Sequence, residues 1–238
     1  MGRAYEVRKA SIQKTGAVKA KLYSNFAKEI YLAAKPNPEI DTNISLKRLV
    51  EKAKKQQVPN DIINRAIDKA KGNGGEDYKE VVYEGFGPGT STLIIKTLTD
   101  NVNRTVGYVR AAFNKVHKSL GVQNSVSFNY DHLGIVSFKI DNDEEFLLTL
   151  LDNGIEPVEF DFVEGELTIE VNYSDFAKLK DVAEANVENL EYIIDESGMY
   201  AKEEVELEGE DLDLFNRLYG LLDEIEDVTE IYHNVKNN

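Results

Sequence analysis

Three observations predict an α+β fold: an all-helical N-terminal domain plus two ferredoxin-like α/β domains, one inserted in the other. Apolar residues recur with helical spacing up to Gly72-Asn73-Gly74-Gly75 and with alternating strand and helix patterns beyond it. The middle of the chain carries one complete β-α-β-β-α-β order. The charge divides at the same glycine-rich stretch. Residues 1–75 hold sixteen Lys and Arg against seven Asp and Glu, and residues 76–238 hold twelve against thirty-six.

The first expected helix runs from Lys14 to Ala34, with Leu22, Phe26, Ile30 and Ala33 on one face. Pro36-Asn37-Pro38 ends it, because proline disfavours helix in the residue before it. Thr42 or Asn43 caps a second helix with the stripe Leu46, Leu49, Val50 and Ala53. A third opens at Pro59 with Asp61 in its first turn, buries Ile63, Ala66, Ile67 and Ala70, and stops at Gly72.

Beyond the glycines, Glu80 to Glu84 and Ser91 to Leu98 read as strands joined through Gly85-Phe86-Gly87-Pro88-Gly89. A helix from Asn103 to His117 and a strand from Ser125 to Tyr130 follow. The complete unit comes next: strand Ile135 to Ile140, helix Glu144 to Leu151, a hairpin from Val158 to Val171 turning at Glu164-Gly165, helix Phe176 to Ala185, and a strand or two between Leu190 and Leu207. Helix Leu212 to Leu222 and strand Val228 to Tyr232 then supply what the first α/β block lacks, so the middle unit reads as inserted. The expected domains are 1–75, the discontinuous 76–133 with 203–238, and 134–202.

Composition and motifs exclude most chemistry. Without cysteine there is no thiolate metal site, disulfide or thiol catalysis. No run approaches the ~18 apolar residues of a membrane helix, so a cytoplasmic protein with no membrane partner is expected. Gly85-x-Gly87-x-Gly89 runs into a strand, whereas a phosphate loop must run into a helix N-terminus. Asp141-Asn142-Asp143-Glu144-Glu145 lacks the central glycine and distant glutamate of a calcium loop and reads as a helix start. His117, His132 and His233 stand apart from other candidate ligands. We therefore expect no catalytic residue, no metal and no cofactor: the chain is not an enzyme.

The basic head is the expected binding element. Lys14, Lys21, Lys28 and Lys35 recur every seven residues and drift only ~20° per repeat around a helix. Lys47, Arg48, Lys52 and Lys55 cluster on the second helix, and Arg3, Arg8 and Lys9 precede the first. Cations in register neutralise successive phosphates while carrying little sequence information. On this reading Lys21 and Lys28 are exposed, and exchanging both for Glu costs under about 1 kcal/mol of stability. The acidic remainder would face away from phosphate or touch basic proteins.

Several runs coincide with one family in order along the chain: Met1-Gly2-Arg3, Lys28-Glu29-Ile30-Tyr31, Gln57-Val58-Pro59, Arg65 to Gly72, Tyr83-Glu84-Gly85-Phe86-Gly87-Pro88, Asn101-Val-Asn103-Arg104-Thr105, and Val228 to Asn234. The chain resembles the YebC/PmpR family, which includes the mitochondrial translational activator of cytochrome oxidase, and within it the shorter-headed, YeeN-like branch. It departs in having Arg3-Ala4-Tyr5 for the usual His-Ser-Lys-Trp start. His117-Lys118 replaces a usual glycine pair, so a different loop shape is expected there. The resemblance implies the three-domain architecture and regulation of gene expression, either as a DNA-binding transcriptional regulator or as a ribosome-associated factor that binds ribosomal RNA and helps translation through proline-rich stretches. Basic ribosomal proteins are partners on the second description. Arg104, in a matching run, joins the phosphate-binding candidates.

Overall fold

The computed structural model describes residues 17–72 and 77–236. Among the described residues, the head holds helices α1 (Ala17–Ala34), α2 (Ile44–Lys55) and α3 (Asn60–Lys71). They close on Phe26, Ile30, Leu46, Val50, Ile63 and Ile67. Tyr31 and Ala34 are buried with them, whereas Leu22 and Ala33 of the expected stripe are only half-buried, so the buried face of α1 is rotated slightly. Asn43 is the cap. Its Oδ1 accepts from the Leu46 N–H at 3.0 Å while its Nδ2 donates to the carbonyls of Ala33 and Asn37. One side chain thus starts α2 and fixes the end of α1.

Strands β1 (Lys79–Phe86) and β2 (Thr92–Thr99) form an antiparallel hairpin, followed by α4 (Val102–Asn114). Helix α7 (Gly209–Asp223) and strand β7 (Val228–His233) complete this layer, with sheet order β1-β2-β7. Helices α4 and α7 bury Val109, Phe113, Phe215, Leu218 and Leu222 against Leu93 and Ile95. Gly85 is required where β1 passes Phe113, since a Cβ there would lie 2.5 Å from the ring. The Gly85–Gly89 segment is a strand-to-strand turn. The Gly89 N–H is satisfied by Asp211 at 3.1 Å, which places a carboxylate where a phosphate loop would hold its ligand.

Between α4 and β7 lies the inserted unit: β3 (Tyr130–Lys139), α5 (Asp143–Asp152), β4 (Glu159–Val163), β5 (Glu166–Asn172), α6 (Tyr173–Asn186) and β6 (Tyr192–Ala201). Its antiparallel sheet has the order β4-β5-β3-β6, the ferredoxin-like arrangement. The acidic run before Phe146 is a helix start, with Asn142 accepting from the Glu145 N–H. Glu164 and Gly165 take φ of 52° and 84°, the geometry of a tight hairpin turn.

One strand expectation fails. Ser125 to Tyr130 is a bend and a single 3₁₀ turn (Ser127–Asn129), and β3 begins only at Tyr130. The cause is Glu84. Buried on β1, its carboxylate accepts the N–H groups of Asn124, Val126 and Ser127 at 2.7–2.9 Å and gathers that segment into a turn. Burial pushes the Glu84 carboxyl up, but these three bonds outweigh it and hold it below its ordinary value. The helix from Asn103 is also shorter than expected. It ends at Asn114, and His117 takes φ 57°, a left-handed conformation that favours glycine.

We propose 1–75, 76–133 with 203–238, and 134–202 as the folding units. A chain ending at Glu208 would lack α7 and β7 and leave Leu93, Ile95 and Phe113 uncovered. Its β1–β2–α4 layer is expected to lose protection in hydrogen exchange, while the inserted sheet keeps it.

Candidate nucleic-acid interface

Among the described cationic candidates, most of the head's stripe faces the chain's own carboxylates. Lys21 Nζ pairs with Asp223 Oδ1 at 3.0 Å and also donates to the Asp223 carbonyl. That carbonyl lies in the last turn of α7, where a helix dipole favours a cation. One helical repeat on, Lys28 is 8 % exposed. Its Nζ lies 3.4 Å from Asp227 Oδ1 and donates to the carbonyls of Leu98 and Glu226. Lys35, just past the end of α1, reaches Asp77 at 3.3 Å with both groups exposed. Of the four lysines at seven-residue spacing, Lys21 and Lys28 lie on α1 and turn to one side of it.

Asp227 is the centre of this contact. It is 4 % exposed, and it accepts from Arg104 Nη2 at 2.9 Å and from the Thr105 hydroxyl at 2.8 Å, with Lys28 on its other oxygen. Burial pushes its carboxyl up, but the bonds from Arg104 and Thr105 and the charge of Lys28 prevail and hold it below its ordinary value. Arg104 also pairs with Asp100 at 2.7 Å.

Helix α2 carries two rows of cations about 100° apart around its axis. Arg48 and Lys55 turn toward the inserted unit. Arg48 grips Glu184 with two bonds of 3.0–3.1 Å and Asp181 with one of 2.7 Å, and Lys55 donates to the Tyr192 carbonyl at 3.5 Å. Lys47 and Lys54, seven residues apart, are exposed on the other row, and Lys52 is exposed as well. Arg3, Arg8, Lys9 and Lys14 lie outside the described residues.

Beside Lys28, Glu29 occupies the same head–body contact. Burial raises its pKa from 4.5 to about 7. Lys52 and Lys96 work against that shift, while Glu230 and Glu80 add to it. These partners are contributed by the body across more than fifty residues, apart from Lys52. A sequence signal for them was the complementarity of the two charge blocks, which does not say which carboxylate meets which lysine.

Among the described residues no group of three or more His, Cys, Asp or Glu could hold a metal ion, and no helix is long and apolar enough to cross a membrane. His132 stacks on Tyr173 at 3.9 Å between ring centres, and His233 meets the rings of Phe215 and Tyr219 edge-on.

A basic helical head held against two acidic sheet-and-helix units defines a class of α+β proteins. The sequence profile of the TACO1/YebC protein N-terminal domain matches residues 3–73, and that of the TACO1/YebC second and third domain matches residues 78–235. The chain belongs to the YebC family. It is 40 % identical to a probable transcriptional regulatory protein of Alteromonas mediterranea over 98 % of each chain. It is 42 % identical to one of Vibrio parahaemolyticus, covering 99 % of this chain and all of that one, and 44 % identical to one of Acholeplasma laidlawii, covering 99 % and 98 %. The crystal structure of a conserved hypothetical protein from Aquifex aeolicus superposes with a TM-score of 0.71 at 27 % identity, covering 93 % of this chain and 92 % of that one.

The burial of Lys28 overturns the expectation that it can be reversed cheaply. Lys28→Glu would set a second carboxylate against Asp227 in a buried pair, and urea unfolding should show a loss of about 3–5 kcal/mol. Glu29 gives the contact a pH dependence. Its proton is held more tightly docked than free, so the docked state is favoured fully below pH 4.5 and loses that advantage as pH rises through about 7. With one fluorophore on the head and one on the body, energy transfer should fall as pH rises over that window, and Glu29→Gln should flatten the response.

Proposed function

We propose that this chain is a non-catalytic DNA-binding regulator of gene expression whose basic head holds phosphates. The observation that carries the reading is the concentration of sixteen Lys and Arg against seven acids in residues 1–75, with the Lys47–Lys54 row turned outward on α2. Lysines at that spacing meet successive phosphates without reading bases. The relatives' description as probable transcriptional regulatory proteins supports the same assignment. In this reading the candidates Arg3, Arg8, Lys9 and Lys14 extend the outward surface, whereas Lys52, one turn from Arg48, stands beside Glu29 at the head–body contact. The carboxylates that hold Lys21, Lys28 and Arg48 compete with phosphate for them, so those three contribute only when the head parts from the body, while Arg104 stays paired with Asp100 and Asp227 of its own unit.

A ribosomal RNA target presents the same phosphates, and the acidity of the body favours it to the extent that ribosomes also carry basic proteins. Sedimentation of a lysate at low and moderate salt separates the two: co-migration with chromosomal DNA supports the regulator, and co-migration with ribosomes the second reading.

The head itself is tested by reversing Lys47 and Lys54 to Glu. Fluorescence anisotropy on duplex DNA should show at least about tenfold weaker binding at ~0.1 M salt and a log–log salt slope flatter by about two. Melting should stay within about 1 kcal/mol, because both side chains are exposed. Glu224→Lys with Glu226→Lys is the control on the body. A larger effect from that pair would place the phosphate-binding face on the wrong unit.

A further inference from the structure

The acids of the body are not evenly spread. Residues 76–238 hold thirty-six, yet residues 101–130 contain none, and the same stretch carries Arg104, Arg110, Lys115 and Lys118. It comprises α4 and the connection from α4 to β3. Arg104 is committed to Asp100 and Asp227. Among the described residues, the side chains of Arg110, Lys115 and Lys118 have no carboxylate partner, whereas Lys96, Lys180, Lys202 and Lys236 elsewhere in the body are each matched to one.

Helix α4 exposes one continuous face. At ~100° per residue, Arg110 and Asn114 lie along one side of it and Tyr108 and Lys115 along the other, with Gly107 and Ala111 between them. All six are exposed. Glycine inside a helix is destabilising, and a Cβ on Gly107 would meet nothing within 4 Å, so internal packing does not ask for it. What the glycine leaves is backbone open to close approach from outside.

This face runs into a recess. His117 takes φ 57° and the Lys118 N–H returns to the Phe113 carbonyl at 3.0 Å, a cap that fixes both residues at the end of the helix. The chain then crosses the end of β1. Leu120 bridges to Gly85, and the Gly121 N–H donates to the Glu84 carbonyl at 2.8 Å. Phe86 is thereby brought beside Asn114, His117, Lys118, Leu120 and Val122, and together they line a recess of about 720 Å³. The Phe86 ring is 50 % exposed and Val122 77 % exposed.

A solvated lysine face needs no exposed ring beside it, and an apolar contact with a protein needs no clearing of carboxylates. A strand of nucleic acid with free bases uses both features. Its phosphates meet the cations, a base stacks on the ring, and nearby carboxylates would repel its backbone. In a duplex the bases are already stacked on one another, which would leave Phe86 unused. We propose that the outer face of α4 and the recess beside it bind single-stranded nucleic acid, with phosphates on Arg110, Lys115 and Lys118 and a base on Phe86. No residue of the site belongs to the head, so it stands whether or not Lys47 and Lys54 bind duplex DNA.

The test measures fluorescence anisotropy of the full chain with labelled oligouridine and oligodeoxythymidine of roughly ten nucleotides, a length one compact site covers. A glutamate peptide of equal charge and duplex DNA are the comparison probes. Binding of either oligonucleotide supports the site, and the pair tells RNA from DNA. Arg110→Glu with Lys115→Glu should weaken single-strand binding at least about tenfold at ~0.1 M salt and flatten the log–log salt slope by about 1.4, at ~0.7 per phosphate. Phe86→Ala should weaken it at least about fivefold, the lower end of what one stacked base contributes, while Phe86→Tyr keeps the ring and the binding. These side chains are exposed, so the variants should melt close to the parent. Lys47→Glu with Lys54→Glu should lower duplex binding yet leave the single-strand losses of the α4 and Phe86 variants in place, which separates failure of this site from failure of the head. The proposal would be overturned if neither oligonucleotide bound, if the glutamate peptide bound equally well, if Phe86→Ala had no effect, or if only the head pair reduced single-strand binding.

Discussion

The relation of head to body depends on the buried carboxylate of Asp227. Alone, a charge only 4 % exposed would be strongly disfavoured. It persists because Arg104 and Thr105 from α4 and Lys28 from α1 all donate to it, while its own carbonyl accepts from the Leu98 N–H at 2.8 Å. Four elements therefore meet at one residue: the head's first helix, the central strand, the helix packed on that strand, and the turn leading into the closing strand. Partners with complementary charge could be exchanged for apolar residues without loss of affinity, but an apolar contact would be indifferent to salt and pH. The contact used here responds to both.

The helices and most strands were legible because their evidence is local. The stripe of α2, a cap at Thr42 or Asn43, the Glu164-Gly165 turn and the β-α-β-β-α-β order can each be read from local pattern. Ser125 to Tyr130 was misread because its conformation is imposed from Glu84, forty residues earlier, by three side-chain bonds that leave no mark in the segment's own sequence. The binding surface was legible only in part for the same reason. A seven-residue lysine period tells that cations share a helix face, but not what that face meets. Within Glu224 to Asp227 the carboxylates look equivalent in sequence, yet Asp227 is buried and Glu224 and Glu226 are not fully enclosed.

The structure also separates two uses of acidity that net charge merges. Asp223, Asp227, Asp181 and Glu184 are matched to head cations and contribute to the arrangement of the domains. Glu159 and Glu170 face each other on a sheet surface and are unmatched by contrast. Counting charge describes both as an acidic body. Placement shows one set engaged across the domains and the other facing itself across two strands of one sheet.

The pairing of Lys21 with Asp223 spans 202 positions. During synthesis the head is complete, and the hairpin of β1 and β2 with α4 has emerged, long before α7 and β7 exist. Contacts of such high sequence separation form late and slowly. The inserted unit, whose pairings are all made among residues 130–201, can fold in the interval and so spaces the two halves of the surrounding layer. A nascent chain of this protein therefore passes through a stage in which Lys21 and Lys28 have not yet met Asp223 and Asp227, next to the RNA-rich surface of the particle that is making it.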